Sequence, residues 1–220
     1  MTGRDLYFIS GSPPCWSVML ALEVKRLDFH PHRLDNSKSE QKSPEYLKIN
    51  PRGQVPVFVE DGTTVSETLA ILAYLDAAYP EPQLFGTGPL ETARVWQIVC
   101  ECDGNLRKPV GEISRPLFRG KAQEFAGAIA DAGSKVRAEL SALDSGLSST
   151  PWLAGAALSA ADLVVYPVIM QLMRATGREE AKPLELGLHP LKEHFSNLAV
   201  WAERVEALRG YDNAYPPHWK

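Results

Sequence analysis

The chain has 220 residues, 45% hydrophobic and 23% charged, with a formal net charge of −4. That is enough for one large domain or two small ones with real cores, and it lacks the basic excess that would draw nucleic acid or an anionic membrane surface. The longest strongly apolar run, Leu163 to Met170, is too short to span a bilayer, and the first residues lack an apolar signal core. A cytoplasmic protein is therefore expected, and the three cysteines, Cys15, Cys100 and Cys102, without framework spacing, suit a reducing compartment.

Leu6-Tyr7-Phe8-Ile9 reads as a buried strand, and Cys15, Val18, Met19 and Leu22 then recur at helical spacing. A second strand is expected near Phe29 to Leu34, which makes a βαβ unit. Val55-Pro56 opens a hairpin that Asp61-Gly62 turns back to Val65, and a helix from Ser66 to Ala78 completes a thioredoxin-like α/β half. Pro80, Pro82 and the Gly86-Thr87-Gly88-Pro89 run stop that helix. The expected division is residues 1–82, a linker at 83–89, and an all-helical bundle over 90–220.

In the second part, Ile129, Val136, Leu140, Leu143 and Leu147 form one helical stripe, and Leu191, Phe195, Leu198, Trp201 and Val205 another. Between them Ser159-x-x-Asp162 has capping-box spacing before Leu163 to Met170, which is apolar all round and predicts a central helix. The Ser159 and Asp162 pair is read as a folding element. Glycines and prolines at 104, 109, 111 and 116 predict breaks or bends in the first long helix of this part.

The stretch from Asn50 to Leu72 carries the strongest chemical signal. Val55 can offer backbone N–H and C=O to an extended ligand, while Ser66 and the first helical turn can hold a carboxylate and Glu67 an ammonium. An α-amino acid head on an amide backbone fits this set, and glutathione is such a molecule.

The block also resembles the glutathione-binding half of the cytosolic glutathione S-transferases. Gly11-Ser12-Pro13-Pro14-Cys15-Trp16 lies where that family keeps its catalytic residue, and together with Asn50-Pro51-Arg52-Gly53-Gln54 it is most similar to the serine-type rho class, more loosely to theta, delta and zeta. Leu158-Ser159-Ala160-Ala161-Asp162 and Tyr215-Pro216-Pro217-His218-Trp219 extend the likeness along the chain. The resemblance implies a glutathione transferase that conjugates the thiolate to small apolar electrophiles, a cis bond before Pro56, and a homodimer in which Asp103 reaches the neighbouring chain's glutathione. Other glutathione chemistry on the same scaffold (isomerase, dehalogenase or peroxidase) and a non-catalytic binding or scaffold protein are the alternatives.

Ser12 is the residue expected to stabilise the thiolate, with Tyr7, Cys15 and Ser10 as competitors. Each also has a plain structural role: Ser12 as a helix cap, Tyr7 and Cys15 as core. Lys42 or Arg52 is expected to pair with the glycine carboxylate, Gln54 to hydrogen-bond that end, and Val55 and Pro56 to flank the cysteinyl segment. Leu106, Val110, Ile113 and Tyr166 are candidate electrophile-lining residues, each equally suited to core packing. No metal is expected: Cys100-x-Cys102 on a helix points its sulfurs apart, and the five histidines form no ligand pattern.

Overall fold

The computed structural model describes residues 3–219, which divide into two compact units, 3–84 with 208–219, and Phe85–Ala207. The division between Leu84 and Phe85 falls inside residues 83–89. The expected second domain does not run to the end of the chain, because the residues from Leu208 onward cluster with the first unit.

The first unit contains strands β1 (Arg4–Phe8), β2 (His30–Arg33), β3 (Val57–Glu60) and β4 (Thr63–Ser66), and helices α1 (Pro13–Val24), α2 (Pro44–Ile49) and α3 (Thr68–Ala78). The sheet order is β2-β1-β3-β4, with β1 and β2 parallel and the other pairs antiparallel. This is the thioredoxin-like arrangement expected from the βαβ and hairpin pattern. Leu6, Val18, Leu22, Phe58, Ile71, Leu72 and Leu75 are all buried, so α1 and α3 share one apolar layer with the sheet. Each such side chain is worth about 1.5–3 kcal/mol of transfer free energy, before conformational entropy.

Two polar clusters fix the rim of this core. Glu60 accepts from Arg4 Nε at 2.6 Å, Tyr79 Oη at 2.5 Å and Tyr74 Oη at 2.6 Å. Burial pushes its carboxyl up, but the two tyrosines and Arg4 outweigh this and hold it below the ordinary range. The fully buried Lys25 ammonium donates to Asp76 and to the carbonyls of Tyr79 and Pro82, tying the end of α1 to the chain leaving α3.

The second unit is helical: α4 (Pro89–Glu101), α5 (Arg107–Phe118), α6 (Ala126–Gly146), α7 (Ala160–Thr176), α8 (Leu191–His194) and α9 (Ser196–Glu206). A π turn over Cys102–Leu106, containing Gly104, joins α4 to α5. The other expected break points, Pro109, Gly111 and Pro116, sit inside α5 without ending it. Pro109 falls in the first turn, where a missing N–H costs little. Helix α7 is the central one, buried from Ala160 to Ile169 and packed on α4, α5 and α9. Its capping box is complete, and the buried Asp162 carboxylate accepts from Ser159 N, Ser159 Oγ and Leu153 N at 2.9 Å each and from Trp201 Nε1 at 2.8 Å. The stripe from Leu191 to Val205 is two helices, since Phe195 takes an extended φ of −144° between α8 and α9. A last short helix, α10 (Tyr211–Ala214), belongs to the first unit and packs on α1.

Candidate active site

The N-termini of α1 and α3 lie side by side, joined by a hydrogen bond from Thr68 Oγ1 to the Pro14 carbonyl at 3.4 Å. Ser12 precedes α1 in a turn closed by Ser12 N–H to Ile9 C=O at 3.2 Å, with Gly11 at φ +82° in the third position. That conformation is open to glycine and strained for almost anything else. Ser12 is half-buried and extended, and its hydroxyl makes no capping bond to α1. Pro13 and Pro14 fill the first two helical positions, so neither offers an N–H to a ligand, and the first such donor in α1 is Cys15.

The competitors of Ser12 are placed differently. Cys15 is 1% exposed, and burial pushes its thiol up to about 11 against hydrogen bonds from the Ser12 side chain and the Ile9 backbone, so it stays protonated at neutral pH. Tyr7 stacks on His32 at 4.5 Å between ring centroids and lies 5.9 Å from Tyr46. Ser10 Oγ is 3.2 Å from His218 Nδ1. A cleft of about 670 Å³ borders this turn, lined among others by Phe8, Ser10, Gly11, Trp16 and Tyr215.

Val55 comes just before the paired part of β3, whose ladder starts at Val57, and the Val55-Pro56 bond is cis. The preceding loop is pinned by its own backbone: Gln54 C=O accepts from Tyr46 Oη at 2.6 Å and from Asn50 Nδ2 at 2.8 Å. Burial is the main cause that pushes the Tyr46 phenol up to about 12, so it remains a donor. Lys42 Nζ donates to Arg52 C=O at 3.0 Å, and a side chain at Gly53 would meet Lys42 Nζ at 2.8 Å. The Lys42 ammonium and the exposed Gln54 side chain thus flank one short loop.

One expectation needs correcting. Ser66 does not begin a helix: it ends β4, paired in register with Val57, and α3 starts at Thr68. Glu67 occupies the cap position at φ +72° without capping through its side chain, and its Oε1 lies 3.0 Å from Arg52 Nη1. The hydroxyl of the first helical turn is therefore Thr68, which the sequence reading passed over. A Ser-Glu-Thr run offers hydroxyls on both sides of Glu67, and only the strand ladder decides between them.

In the helical unit, Asp103 lies in the π turn and pairs with Arg107 Nε at 2.7 Å. Leu106, Val110, Ile113 and Tyr166 are each no more than 1% exposed. They are core residues of this unit; Tyr166 donates to Glu206 Oε1 at 2.9 Å and packs edge-on against Trp201. Leu106 also borders a small hollow, of about 190 Å³. Among the described residues no group of three or more histidine, cysteine or acidic side chains is placed to hold a metal, and no helix is long and apolar enough to cross a membrane.

The chain matches two family models, Glutathione S-transferase, N-terminal domain, over residues 6–83 and Glutathione S-transferase, C-terminal domain, over residues 126–204. It is 31% identical over 210 residues to Glutathione S-transferase A of Pleuronectes platessa, covering 92% of this chain and 93% of that one. The structure is similar to a glutathione S-transferase from the Antarctic clam Laternula elliptica, with a TM-score of 0.82 and 29% identity, over 99% of this chain and 94% of that one. A glutathione transferase homologue from Sulfitobacter, solved with bound glutathione, superimposes with a TM-score of 0.77 at 25% identity, over 97% of both chains.

Proposed function

Because the chain belongs to the glutathione S-transferase family and is a glutathione transferase, we propose that its chemistry runs through Ser12, in the manner of the serine-type rho class. Glutathione lies along the edge formed by the loop before β3 and the start of α3. Its γ-glutamyl carboxylate meets Thr68 and the free N–H groups of α3, and its ammonium meets Glu67. Its cysteinyl backbone pairs with Val55, and its glycine carboxylate meets Lys42 and Gln54. The sulfur then falls at the start of α1, where the Ser12 hydroxyl turns from Cys15 to donate to it.

The work required is modest. A free thiol with a pKa of about 8.5 is only about 3% ionised at pH 7. Lowering that value by about two units ionises roughly three quarters and requires about 2.7 kcal/mol. A hydrogen bond to a charged acceptor supplies about 1.5–3 kcal/mol and a helix N-terminus about 0.3–1 kcal/mol. With prolines at the first two positions of α1, the hydroxyl carries most of the shift. The thiol proton leaves to solvent, and the thiolate forms a carbon–sulfur bond to the electrophilic carbon of a small apolar substrate as that carbon's bond to its leaving group breaks and the bonding pair departs with that group, aided by proximity.

The observation that supports this reading best is the Ser12 hydroxyl itself, free of any capping duty on a helix whose start adjoins that of α3. Conjugation of a chromogenic electrophile should fall at least about tenfold in Ser12→Ala, with glutathione affinity less affected. Unchanged turnover in that variant would reject the reading. A cytoplasmic homodimer is part of the same proposal, and light scattering at low micromolar concentration should give about twice the 24.2 kDa chain mass.

A further inference from the structure

The segment that follows α9 returns to the first unit and ends against the turn that presents Ser12. Gly210, at φ +81°, makes the bend so close to α1 that a side chain there would collide with Glu23, and Asn213 Nδ2 donates to Glu23 Oε2 at 3.1 Å. Trp16, in the first turn of α1 and 2% exposed, is then enclosed by three rings: Tyr211 at 6.2 Å, Tyr215 at 5.7 Å and Trp219 at 5.4 Å between centroids, the last two edge-on. Pro216 and Pro217 stiffen the path, and Trp219 N–H to Pro216 C=O at 2.9 Å closes it into a tight turn.

That turn delivers two side chains onto Gly11. A Cβ built at Gly11 would stand 2.9 Å from Trp219 Cζ2 and 3.2 Å from His218 Cε1 and Nε2, so the backbone one residue before Ser12 is in contact with both rings. Ser10 Oγ and His218 Nδ1 are 3.2 Å apart, a hydrogen bond whose donor depends on the imidazole tautomer. The glycine needed for the turn's positive φ is also the one position with no side chain to keep these rings away.

We propose that His218 is a positioning residue of the thiol site: through Ser10 and Gly11 it holds the turn from Ile9 to Ser12 in the conformation that aims the Ser12 hydroxyl, with Trp219 fixing the segment on Trp16. This rests on the reading of Ser12 as the thiolate donor. The hydroxyl has one torsion to spend on a sulfur, and a turn that wanders by an ångström spreads that donor over geometries that stabilise the charge poorly. A segment with a merely structural role would lower the melting temperature and leave the titration of the bound thiol alone.

The test is the pH titration of the ultraviolet thiolate band of the glutathione complex, with kcat and KM for glutathione, in His218→Ala, His218→Asn, Ser10→Ala and the double Ser10→Ala/His218→Ala variant. His218→Ala should raise the pKa of the bound thiol by about half to one unit and lower kcat at pH 6.5 about two- to fivefold, with KM for glutathione within about twofold. Asn, whose amide can take the place of Nδ1, should restore most of the loss. Ser10→Ala should match His218→Ala, and the double variant should be no worse than either single one if the effect passes through that bond. An unchanged titration in His218→Ala, or losses confined to melting temperature or KM, would overturn the proposal. Ser12→Ala separates the two levels. A raised thiol pKa there with none in His218→Ala removes only the role of His218, whereas an unchanged titration in Ser12→Ala removes both.

Discussion

Replacing Asp162 by alanine should destabilise the helical unit severely without touching the glutathione chemistry. The carboxylate is fully buried and accepts four hydrogen bonds: two from Ser159, at the backbone and the hydroxyl, one from Leu153 N–H and one from Trp201 Nε1. Burial pushes the carboxyl up, and these four donors oppose that without fully cancelling it. Alanine leaves all four donors without their acceptor around the start of the central helix. At about 1 kcal/mol for each, the loss is about 4 kcal/mol, and a chain of this size shifts by about 2–4 °C per kcal/mol, so Tm should fall by roughly 8–16 °C. Trp201→Phe removes one donor while keeping most of the ring, and should cost about a quarter as much. Differential scanning calorimetry reads both. A Tm within about 3 °C of the native value in Asp162→Ala, or a kcat loss in a variant of native stability, would refute the structural role.

The γ-glutamyl end gives a paired comparison: Thr68→Ala should weaken glutathione binding about tenfold by calorimetry, and Ser66→Ala, at the end of β4, should leave it within about twofold. The reverse pattern would return the site to Ser66. Glu67→Gln should cost about 1.5–3 kcal/mol of glutathione affinity at unchanged Tm, and a fall in Tm alone would make Glu67 a support for its helix start. Glu60 predicts a pH dependence. Its folded pKa lies below the unfolded value of about 4.3, so its contribution is present above that value and lost as pH falls through the folded one. Acid unfolding of the native protein should therefore be steeper between about pH 5 and 3 than that of Glu60→Gln, and coincident acid limbs would contradict the network drawn around Glu60.

Much of this architecture was legible from periodicity and punctuation. Strand β1, helix α1, the hairpin around Asp61-Gly62 and the apolar helix α7 behind its capping box stand where alternation, helical spacing and cap residues put them. What escaped was decided by contacts that sequence spacing does not encode. The polar run Ser39-Glu40-Gln41-Lys42-Ser43 reads as a loop, yet Ser43 caps the short helix α2 and Asp35 caps a single turn over Asn36–Lys38. The start of α3 slipped by two residues because Ser66 is a good cap type, yet its pairing with Val57 keeps it in β4 and leaves Glu67 at the cap position. The stripe from Leu191 to Val205 keeps helical spacing straight through Phe195, so the break there is invisible to periodicity. The four apolar residues proposed to line a substrate site are indistinguishable by type from core residues, and burial is what places them. The docking of Tyr211, Tyr215 and Trp219 around Trp16 joins residues about two hundred positions apart, and no local pattern announces it.

The central claim, that Ser12 holds the glutathione sulfur as a thiolate, is tested most directly by the ultraviolet thiolate band of the bound tripeptide against pH. The native complex should titrate about two units below free glutathione, and Ser12→Ala should return the midpoint upward by about one to two units with binding retained. Superimposable titrations of the native and Ser12→Ala complexes, with the shift lost in Tyr7→Phe or Cys15→Ala instead, would contradict it.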